Sequence, residues 1–460
     1  MNILRFIDRK TELDELNTIE KLSRKKLFVL TIYGLRRVGK TRLLLEFLNK
    51  GGMYFFVNRN KTSDDLLLEF QGILKSNKVL GELESLPSWE KFFEICTTRE
   101  LPPLVFDEFQ NFVDVEPSIL GSLQKNIDLH ESNPGLIILS GSLIGLMKMT
   151  FQNVKEPLYG RIKQSIRINP LGISACFEIG KELSLDKDEL IKLYLIFGGY
   201  PKYYVAIEDF DLKGKTALEI LDALFLNKSA PLDEEVTTIL SQEFGGRSGI
   251  YYSILEAIAT GNNRLSSIAG YLNVPVTSIT RQIGDLKDNF ELIQIEKPYQ
   301  GKRGIYTIKH PLLEFWFSQI YKNFSDYASR NPDFIFKLKE NLNCYYGRAF
   351  ERAAREFIVA KLNLSTAQRQ WGKIPNAEKG KDNYEIDLIG TDKKSFYAFE
   401  IKWQDLTYVE TLGLLDQLTT KAKFVQRLPE NILFGIVAKK IDEKEKLRAA
   451  NYLIYDLDDF

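Results

Sequence analysis

The residues best suited to chemistry lie in a short run near the amino end of the chain. Gly34-Leu-Arg-Arg-Val-Gly39-Lys40-Thr41 has the spacing GxxxxGK[ST], directly after an apolar run and directly before a helical pattern. There the glycines let backbone N–H groups converge on phosphate oxygens, and the helix start adds its dipole. Lys40 would reach the β- and γ-phosphates, and the Thr41 hydroxyl would bind Mg²⁺. The predicted nucleotide-binding residues of this run are Gly34, Arg36, Arg37, Val38, Gly39, Lys40, Thr41 and Arg42.

Two acids follow a second apolar run. Leu104-Val-Phe106 is continued by Asp107-Glu108, and strand ends in an open α/β sheet meet the ligand crevice. Asp107 would hold Mg²⁺ together with Thr41, mostly through water. Glu108 would orient or deprotonate the attacking water.

Two further features could complete a hydrolytic site. The run 136–139 ends in Ser140-Gly141-Ser142, whose hydroxyls could contact the γ-phosphate, although such a run also forms ordinary turns. Arg161 could stabilise the charge of the transition state, within its own chain or across a subunit contact, although a lone arginine is often a surface residue. The predicted catalytic set is Lys40, Asp107, Glu108, Ser142 and Arg161.

The elements that position these residues alternate along the first third of the chain. Short runs rich in β-formers at 27–33, 53–57, 104–106 and 136–139 predict strands, and amphipathic stretches between them predict helices. This alternation predicts the α/β class, with a mostly parallel sheet covered by helices. From 183 to 240 the pattern turns helical.

The composition excludes several classes of protein. Lys plus Arg and Asp plus Glu are both 62, so no global positive field attracts nucleic acid or an anionic membrane. The three cysteines lack metal or disulfide spacing and are predicted to be buried thiols. No segment offers the ~18 apolar residues of a membrane span. We therefore expect a soluble cytoplasmic protein with no membrane partner.

The amino-terminal motifs together resemble the archaeal-type ATPases, P-loop proteins related to AAA+ and STAND NTPases. The resemblance covers about residues 1–240 and follows the order of six motifs: Phe6-Ile-Asp-Arg9-Lys-Thr-Glu12-Leu13, the glycine-rich loop, Phe106-Asp-Glu-Phe-Gln110, Leu139-Ser-Gly-Ser142, Pro157-Leu-Tyr-Gly-Arg161 and Phe197-Gly-Gly-Tyr-Pro201. It implies ATP as the nucleotide, Arg9 near the nucleotide entrance, Ser142 or Ser140 as a sensor, and Arg161 as a finger or sensor. The Gly-Gly-Tyr-Pro turn would begin a helical lid.

The middle of the chain has the spacing of a winged helix. Residues 265–286 carry helix-turn-helix periodicity, and the strands predicted at 292–296 and 304–308 would form the wing. Residues of the recognition helix and wing tip that would contact DNA are Thr277, Ser278, Arg281, Lys302 and Arg303. The segment 245–312 has eight basic and five acidic residues. DNA binding and packing against protein both remain open for it.

Acidic residues near the carboxyl end have the spacing of a metal-dependent nuclease. Asp387 lies on one predicted strand, and period two places Glu400 and Lys402 on the same face of the next. The two acids could share Mg²⁺ while the lysine meets the attacked phosphate or water, an arrangement suited to phosphodiester hydrolysis.

Residues 346–460 resemble the PD-(D/E)xK nuclease fold, with Ile386 where a proline often stands. The resemblance implies Glu351 as an additional acid. The alternative is that the fold is kept without cleavage, as an interaction module.

The predicted domains are a P-loop ATPase core (1–180), a helical lid (181–244), a winged helix (245–312), a helical connector (313–345) and a restriction-endonuclease-like α/β domain (346–460). The predicted function is that of an ATP-binding and ATP-hydrolysing protein that acts on DNA, with ATP and Mg²⁺ as cofactors. The alternative is an ATP-dependent regulatory or signalling switch whose carboxyl-terminal domains bind a protein partner or form a homo-oligomer without cleavage.

Overall fold

The computed structural model describes residues 5–244, 249–374, 378, 382–426, 428–429 and 431–460. The strands are β1 (Leu27–Tyr33), β2 (Met53–Phe56), β3 (Leu104–Asp107), β4 (Gly135–Gly141), β5 (Gln164–Arg167), β6 (Ile293–Glu296), β7 (Ile305–Ile308), β8 (Thr366–Lys373), β9 (Asn383–Thr391), β10 (Phe396–Leu406), β11 (Ile432–Ile441) and β12 (Leu453–Tyr455). The α-helices are α1 (Lys10–Ser23), α2 (Lys40–Leu48), α3 (Ser63–Ser76), α4 (Trp89–Thr98), α5 (Phe112–Val115), α6 (Ile119–Leu129), α7 (Ile144–Gln152), α8 (Ile173–Glu182), α9 (Lys187–Phe197), α10 (Pro201–Asp209), α11 (Ala217–Leu221), α12 (Glu235–Phe244), α13 (Gly249–Ala259), α14 (Leu265–Tyr271), α15 (Thr280–Gly284), α16 (Pro311–Gln319), α17 (Phe324–Ala328), α18 (Pro332–Lys361), α19 (Tyr408–Ala422) and α20 (Lys444–Ala449).

The first sheet is parallel, with the order β2-β3-β4-β1-β5. β1 pairs with β4 over its whole length, from Leu27 opposite Gly135 to Tyr33 opposite Gly141. Because parallel strands share their direction, the carboxyl ends of β1, β3 and β4 meet at one edge. The α/β class and the parallel sheet predicted from the sequence are confirmed.

Two cores cover the two faces of this sheet. Leu27 and Val29 of β1 belong to one core, with aromatic residues of α3 and α4. Leu30 and Ile32 belong to the other, with α1, α2 and much of the rest of the chain. Since side chains alternate along a strand, burial on both faces explains why β1 is a continuous apolar run.

A tight break at Gly198 and Gly199 separates α9 from α10. Gly198 has a left-handed backbone, with φ 59°. A Cβ on Gly199 would lie 1.7 Å from the carbonyl oxygen of Leu171, so a side chain has no room there. Pro201 then begins α10 at a position where the missing N–H costs nothing.

The middle of the chain forms α13, α14 and α15, followed by the antiparallel pair β6 and β7. Residues 245–248, at the predicted start of this unit, lie outside the described residues. Of the apolar residues in the stretch 265–286 with helix-turn-helix periodicity, Ile268, Ile279, Ile283 and Leu286 are buried, and Leu272 is half-buried.

The carboxyl-terminal part consists of a long helix and a second sheet. α18 has 30 residues and packs on β10. The sheet has the order β12-β11-β10-β9-β8, in which β8, β9 and β10 are antiparallel and β10, β11 and β12 are parallel. α19 connects β10 to β11 and packs on both.

Several predicted boundaries fall inside elements of this fold. The boundary after 180 lies within α8, the one after 312 within α16, and the one after 345 within α18, so adjacent units share continuous helices. Cys96 and Cys176 are buried as predicted, but Cys344 is exposed because it lies on an outward face of α18. Within the described ranges, no helix is long and apolar enough to cross a bilayer.

Candidate functional site

The glycine-rich loop connects β1 to α2 at the carboxyl edge of the first sheet. A Cβ on Gly34 would lie 2.2 Å from the carbonyl oxygen of Ile168, and Gly39 has φ 94°, so both glycines are sterically required. The Lys40 ammonium donates to the carbonyl oxygens of Gly34 (2.9 Å) and Leu35 (3.0 Å). Burial lowers the pKa of Lys40 to about 8, although Glu108 and Asp107 oppose the shift.

Asp107, at the end of β3, lies against the start of α2. Its Oδ2 accepts a hydrogen bond from the Thr41 hydroxyl (2.7 Å) and another from the Tyr54 hydroxyl (2.8 Å). Burial, reinforced by Asp107, raises the pKa of Tyr54 far above its usual value. The predicted Mg²⁺ residues Thr41 and Asp107 are therefore in direct contact, 66 residues apart in sequence.

Glu108 is held in place by two neighbours. Its backbone is left-handed, with φ 54°, and its carboxylate accepts hydrogen bonds from the Ser142 hydroxyl and the Gln110 amide. Ser140 is fully buried, and its hydroxyl has no hydrogen-bond partner in the described part of the chain. Of the two serines considered as sensors, the structure brings only Ser142 to Glu108.

Arg9 lies behind the loop. One guanidinium nitrogen donates to the carbonyl oxygens of Val38 (3.0 Å) and Asn169 (2.6 Å), and the other to Glu12 (2.9 Å). Arg9 also lines a mostly apolar cavity of about 290 Å³. The other lining residues are Arg5, Phe6, Ile7, Val38, Gly39, Arg42, Leu171, Ile179, Pro201, Tyr204 and Val205.

The two arginines of the loop pair with acids of α12. Arg37 Nε lies 3.1 Å from a carboxylate oxygen of Glu235, and Arg36 Nε lies 3.6 Å from one of Glu243. Burial raises the pKa of Glu243 to about 7, although Arg36 and Lys40 lower it.

Arg161 is placed away from these contacts. Its guanidinium makes two hydrogen bonds of 2.8 Å to the Asp128 carboxylate, at the end of α6. Asp128 precedes β4 and Arg161 precedes β5, so the pair belongs to the amino edge of the sheet. The hydrogen bonds of Arg161 among the described residues go to Asp128, Pro157 and Tyr159 rather than to the loop. Its transition-state role, within its own chain or across a subunit contact, stays a prediction.

A second charged site lies on β9 and β10. Asp387 is buried and accepts a hydrogen bond from the Ile401 amide (2.7 Å). Lys402 lies 2.8 Å from Glu400 and 3.9 Å from Asp387. Lys421 of α19 donates to both oxygens of Glu400, at 2.9 and 2.8 Å. The predicted acids and lysine therefore converge, with a second lysine among them.

Glu351, on α18, faces this site from the side. Its carboxylate is 3.5 Å from Arg369 of β8. Burial raises the pKa of Glu351 and that of Asp387 above their ordinary values. The carboxylate of Asp387 raises the pKa of Glu351 further, and that of Glu400 raises the pKa of Asp387 further.

Asp387 and Glu400 supply oxygen donors of the type that Mg²⁺ prefers. However, no group of three or more acidic, histidine or cysteine side chains in the described residues could hold a metal ion.

The predicted DNA-contacting residues of the middle unit are on its surface. Thr277, Ser278, Arg281, Lys302 and Arg303 are all exposed. Arg281 lies 4.0 Å from Asp285, the residue that follows α15.

The segment between β6 and β7 is partly covered by the second sheet. The Tyr299 amide donates to the carbonyl oxygen of Arg369 (2.8 Å), and the Gln300 amide donates to the side chain of Gln370 (2.7 Å). This predicted wing is therefore docked on the edge strand β8.

Comparison with known proteins agrees with the first site. Residues 6–207 match the family described as "ATPase domain predominantly from Archaea". An uncharacterized protein of Methanocaldococcus jannaschii is 30% identical over 466 residues, which cover 99% of this chain and 100% of that protein. The chain belongs to the family of that archaeal protein. The matched domain makes it an ATPase, as the loop and the paired acids predicted.

One solved structure shares the fold of this ATPase. A Walker-type ATPase of Pyrococcus abyssi has a TM-score of 0.54 at 24% identity, covering 68% of this chain and 96% of that one. The ORC2 protein of Aeropyrum pernix has a TM-score of 0.49 at 15% identity, covering 73% and 96%. Residues 316–414, which include Asp387, Glu400 and Lys402, match a family described as "Archaea bacterial proteins of unknown function".

Sequence reasoning missed several side chains at these sites. Tyr54, Glu235, Glu243 and Lys421 come from elements distant in sequence, and no local motif marks them. Gln110 lies inside the quoted run Phe106-Asp-Glu-Phe-Gln110. The sequence signal that could have identified Gln110 is its position, a polar residue two places after Glu108.

Proposed function

We propose that the nucleotide hydrolysed by this ATPase is ATP, bound with Mg²⁺ at the glycine-rich loop. The contact between Thr41 and Asp107 carries the proposal, because it joins the two predicted Mg²⁺ residues at the loop that would hold the phosphates. When bound there, Mg²⁺ would neutralise charge that develops on the phosphates. Lys40 would exchange its loop carbonyl partners for phosphate oxygens.

Glu108 is proposed to activate the attacking water. Its carboxylate lies at the same sheet edge as Lys40 and is oriented by Ser142 and Gln110. The cavity beside Arg9 has the apolar lining that a purine ring needs. Base, phosphates and water would thus be bound by adjoining surfaces.

The test is ATP binding and turnover by the full chain with Mg²⁺. We expect Lys40→Ala to lose nucleotide binding, and Glu108→Gln to bind ATP while its kcat falls about 100-fold or more. Lys50→Ala changes an exposed lysine two residues after the end of α2. This variant is the control and should behave as wild type. Equal turnover by wild type and Glu108→Gln would remove Glu108 from the proposed role.

We further propose that the carboxyl-terminal units act on DNA. Two observations support this: the order of helices and antiparallel hairpin in the middle unit suits a winged helix, and α18 and α19 pack on a mixed sheet whose strands β9 and β10 carry the second charged site. Asp387, Glu400 and Lys402 meet at adjacent positions of that sheet.

Cleavage is tested with Mg²⁺ or Mn²⁺ on single-stranded, duplex and branched DNA, with and without ATP. We expect Asp387→Asn to abolish cleavage. Asp405→Asn removes an exposed acid from the neighbouring strand β10 and should leave cleavage intact. Cleavage that survives in Asp387→Asn would exclude this site as its source.

A switch that binds a protein partner is the second candidate. It is favoured by the neutralised acids of the second site, since Lys402 and Lys421 bind Glu400 and Arg369 lies by Glu351. The net charge of zero also offers little attraction for DNA. Nucleotide-dependent assembly without DNA binding in any nucleotide state would decide for this candidate.

A further inference from the structure

α12 contributes two buried carboxylates to the loop that holds the phosphates. The side chain of Glu235 is 4% exposed and that of Glu243 is 5% exposed. Glu235 binds Arg37 and also Lys202 of α10, and Glu243 lies beside Arg36. Buried carboxylates are costly unless cations compensate them, so these contacts hold α12 on the loop.

The same arginines are suited to a phosphate chain. They flank the backbone that would surround the phosphates, and guanidinium groups bind phosphate and carboxylate in the same geometry. Glu243 also acts electrostatically on Lys40 and on Glu108. A triphosphate in the loop would therefore place several negative charges next to a buried carboxylate, which is unfavourable.

The far end of α12 is tied to the middle unit. Phe244 directly follows Glu243, and its ring lies 4.8 Å from that of Tyr251 in α13 and 5.0 Å from that of Phe290 before β6. α12 also contacts α16. A movement of Glu243 away from Arg36 would therefore shift Phe244 and, through its ring contacts, the helices and hairpin of the middle unit.

We infer that α12 is displaced by nucleotide: Glu235 and Glu243 hold the loop arginines in the nucleotide-free protein, and a nucleoside triphosphate competes for Arg36 and Arg37 and releases the helix. This inference rests on the proposed ATP binding at the loop. It assigns the middle unit a nucleotide-dependent position, because Phe244 moves with α12.

The experiment uses the full chain with a fluorescent ATP analogue and hydrogen exchange. In wild type, saturating non-hydrolysable ATP should speed exchange of the α12 amides. In the double variant Glu235→Gln and Glu243→Gln, the α12 amides should exchange quickly even without nucleotide. This variant should also bind the analogue about tenfold more tightly, because a smaller fraction of it has α12 held on the loop arginines, the form that does not bind nucleotide. Glu234→Gln, an exposed acid next to α12, should match wild type.

Unchanged exchange in wild type would overturn the inference even if the double variant fails to fold. Weaker binding by a folded double variant would overturn it too, since the acids would then position the arginines for the nucleotide. If wild type binds the analogue, Lys40→Ala does not, and exchange in α12 is unchanged by nucleotide, then the proposed ATP binding stands and only the displacement of α12 is refuted. Absence of binding in wild type and in the double variant removes both proposals.

Discussion

The side chain of Ser142 donates one of the hydrogen bonds that orient Glu108, the proposed activator of the attacking water. Glu108 has a strained backbone and two donors on its carboxylate, one of them Ser142. A hydrogen bond to a charged group contributes about 1.5–3 kcal/mol, which corresponds to roughly ten- to a hundredfold in rate if it is needed in the transition state. We therefore predict that Ser142 acts as a positioning residue for Glu108.

We expect Ser142→Ala to lower kcat by about tenfold or more while ATP affinity stays near wild type. Steady-state hydrolysis and equilibrium binding provide the two readouts. Ser140→Ala is the matched control, because that buried hydroxyl has no hydrogen-bond partner among the described residues. A loss of rate in Ser140→Ala as large as in Ser142→Ala would refute the assignment.

Burial of His310 is expected to make the stability of the folded protein decrease as the pH falls. It stacks on Tyr200 at 3.9 Å, and in the described structure neither ring nitrogen has a hydrogen-bond partner. Burial, helped by Arg352, lowers the pKa of His310 to about 3. The unfolded chain therefore binds a proton between pH 6.5 and 3 that the folded chain does not bind, so stability is full above pH 6.5 and falls as the pH decreases.

His310→Phe should keep the ring contact and remove this dependence. The difference in unfolding free energy between wild type and variant should change by up to about 1.4 kcal/mol per pH unit below pH 6.5. Denaturant unfolding at pH 7, 5.5 and 4.5 measures it. A constant difference across that range would mean that His310 is protonated or solvated in the folded protein.

Among the elements, the break before α10 is set by backbone contact. The Leu171 amide donates to the carbonyl oxygen of Gly199 at 2.7 Å, and a Cβ there would overlap the backbone of Leu171. The loop that leads into α8 and the start of α10 are therefore packed directly on each other. Relief of such an overlap requires the backbone to move.

Gly199→Ala should destabilise the protein by about 3 kcal/mol or more, or prevent soluble expression. Gly270→Ala is the control, since it lies in α14 with open space around it, and alanine there should be neutral or stabilising by up to about 1 kcal/mol. Thermal unfolding of both variants measures the contrast. Equal melting temperatures would show that the 198–201 turn adjusts freely.

In the molecule as a whole, one carboxylate joins the middle unit to the first sheet. Glu291 contacts Lys148 of α7 (2.5 Å), Arg167 of β5 and Lys309 (3.2 Å). Its side chain is 6% exposed. α7 begins two residues after Ser142, so this contact ties the middle unit to the helix that follows Ser142.

Glu291→Gln should weaken the docking of the middle unit by about 2 kcal/mol, because three cations lose their shared anion while remaining partly solvated. Faster hydrogen exchange in α7 and in β6–β7 is the expected signal. Asp288→Asn breaks an exposed pair with Lys287 and serves as control. Exchange in Glu291→Gln no faster than in that control would show that apolar packing alone holds the unit.

Local sequence patterns were sufficient to predict those strands and site residues that are marked by an apolar run or a motif in the neighbouring sequence. β1 was predicted with its observed bounds, and Lys40, Thr41, Asp107 and Glu108 were found from spacing, because apolar runs and glycine positions reflect burial and backbone geometry near in sequence. β5 and β8 were not predicted: the first is a four-residue edge strand, and the second, Thr-Ala-Gln-Arg-Gln-Trp-Gly-Lys, has no apolar run. Their pairing depends on strands formed elsewhere in the chain.

Contacts between distant elements depend instead on how the sheets and helices pack. The ion pairs of α12 with the loop join residues about 200 apart, the placement of Arg161 with Asp128 follows from where α6 ends, and Lys421 reaches Glu400 from a following helix. Burial in the assembled fold also sets the pKa values of Glu243 and His310. No spacing rule encodes these contacts, because each depends on the relative position of surfaces that only the packed cores determine.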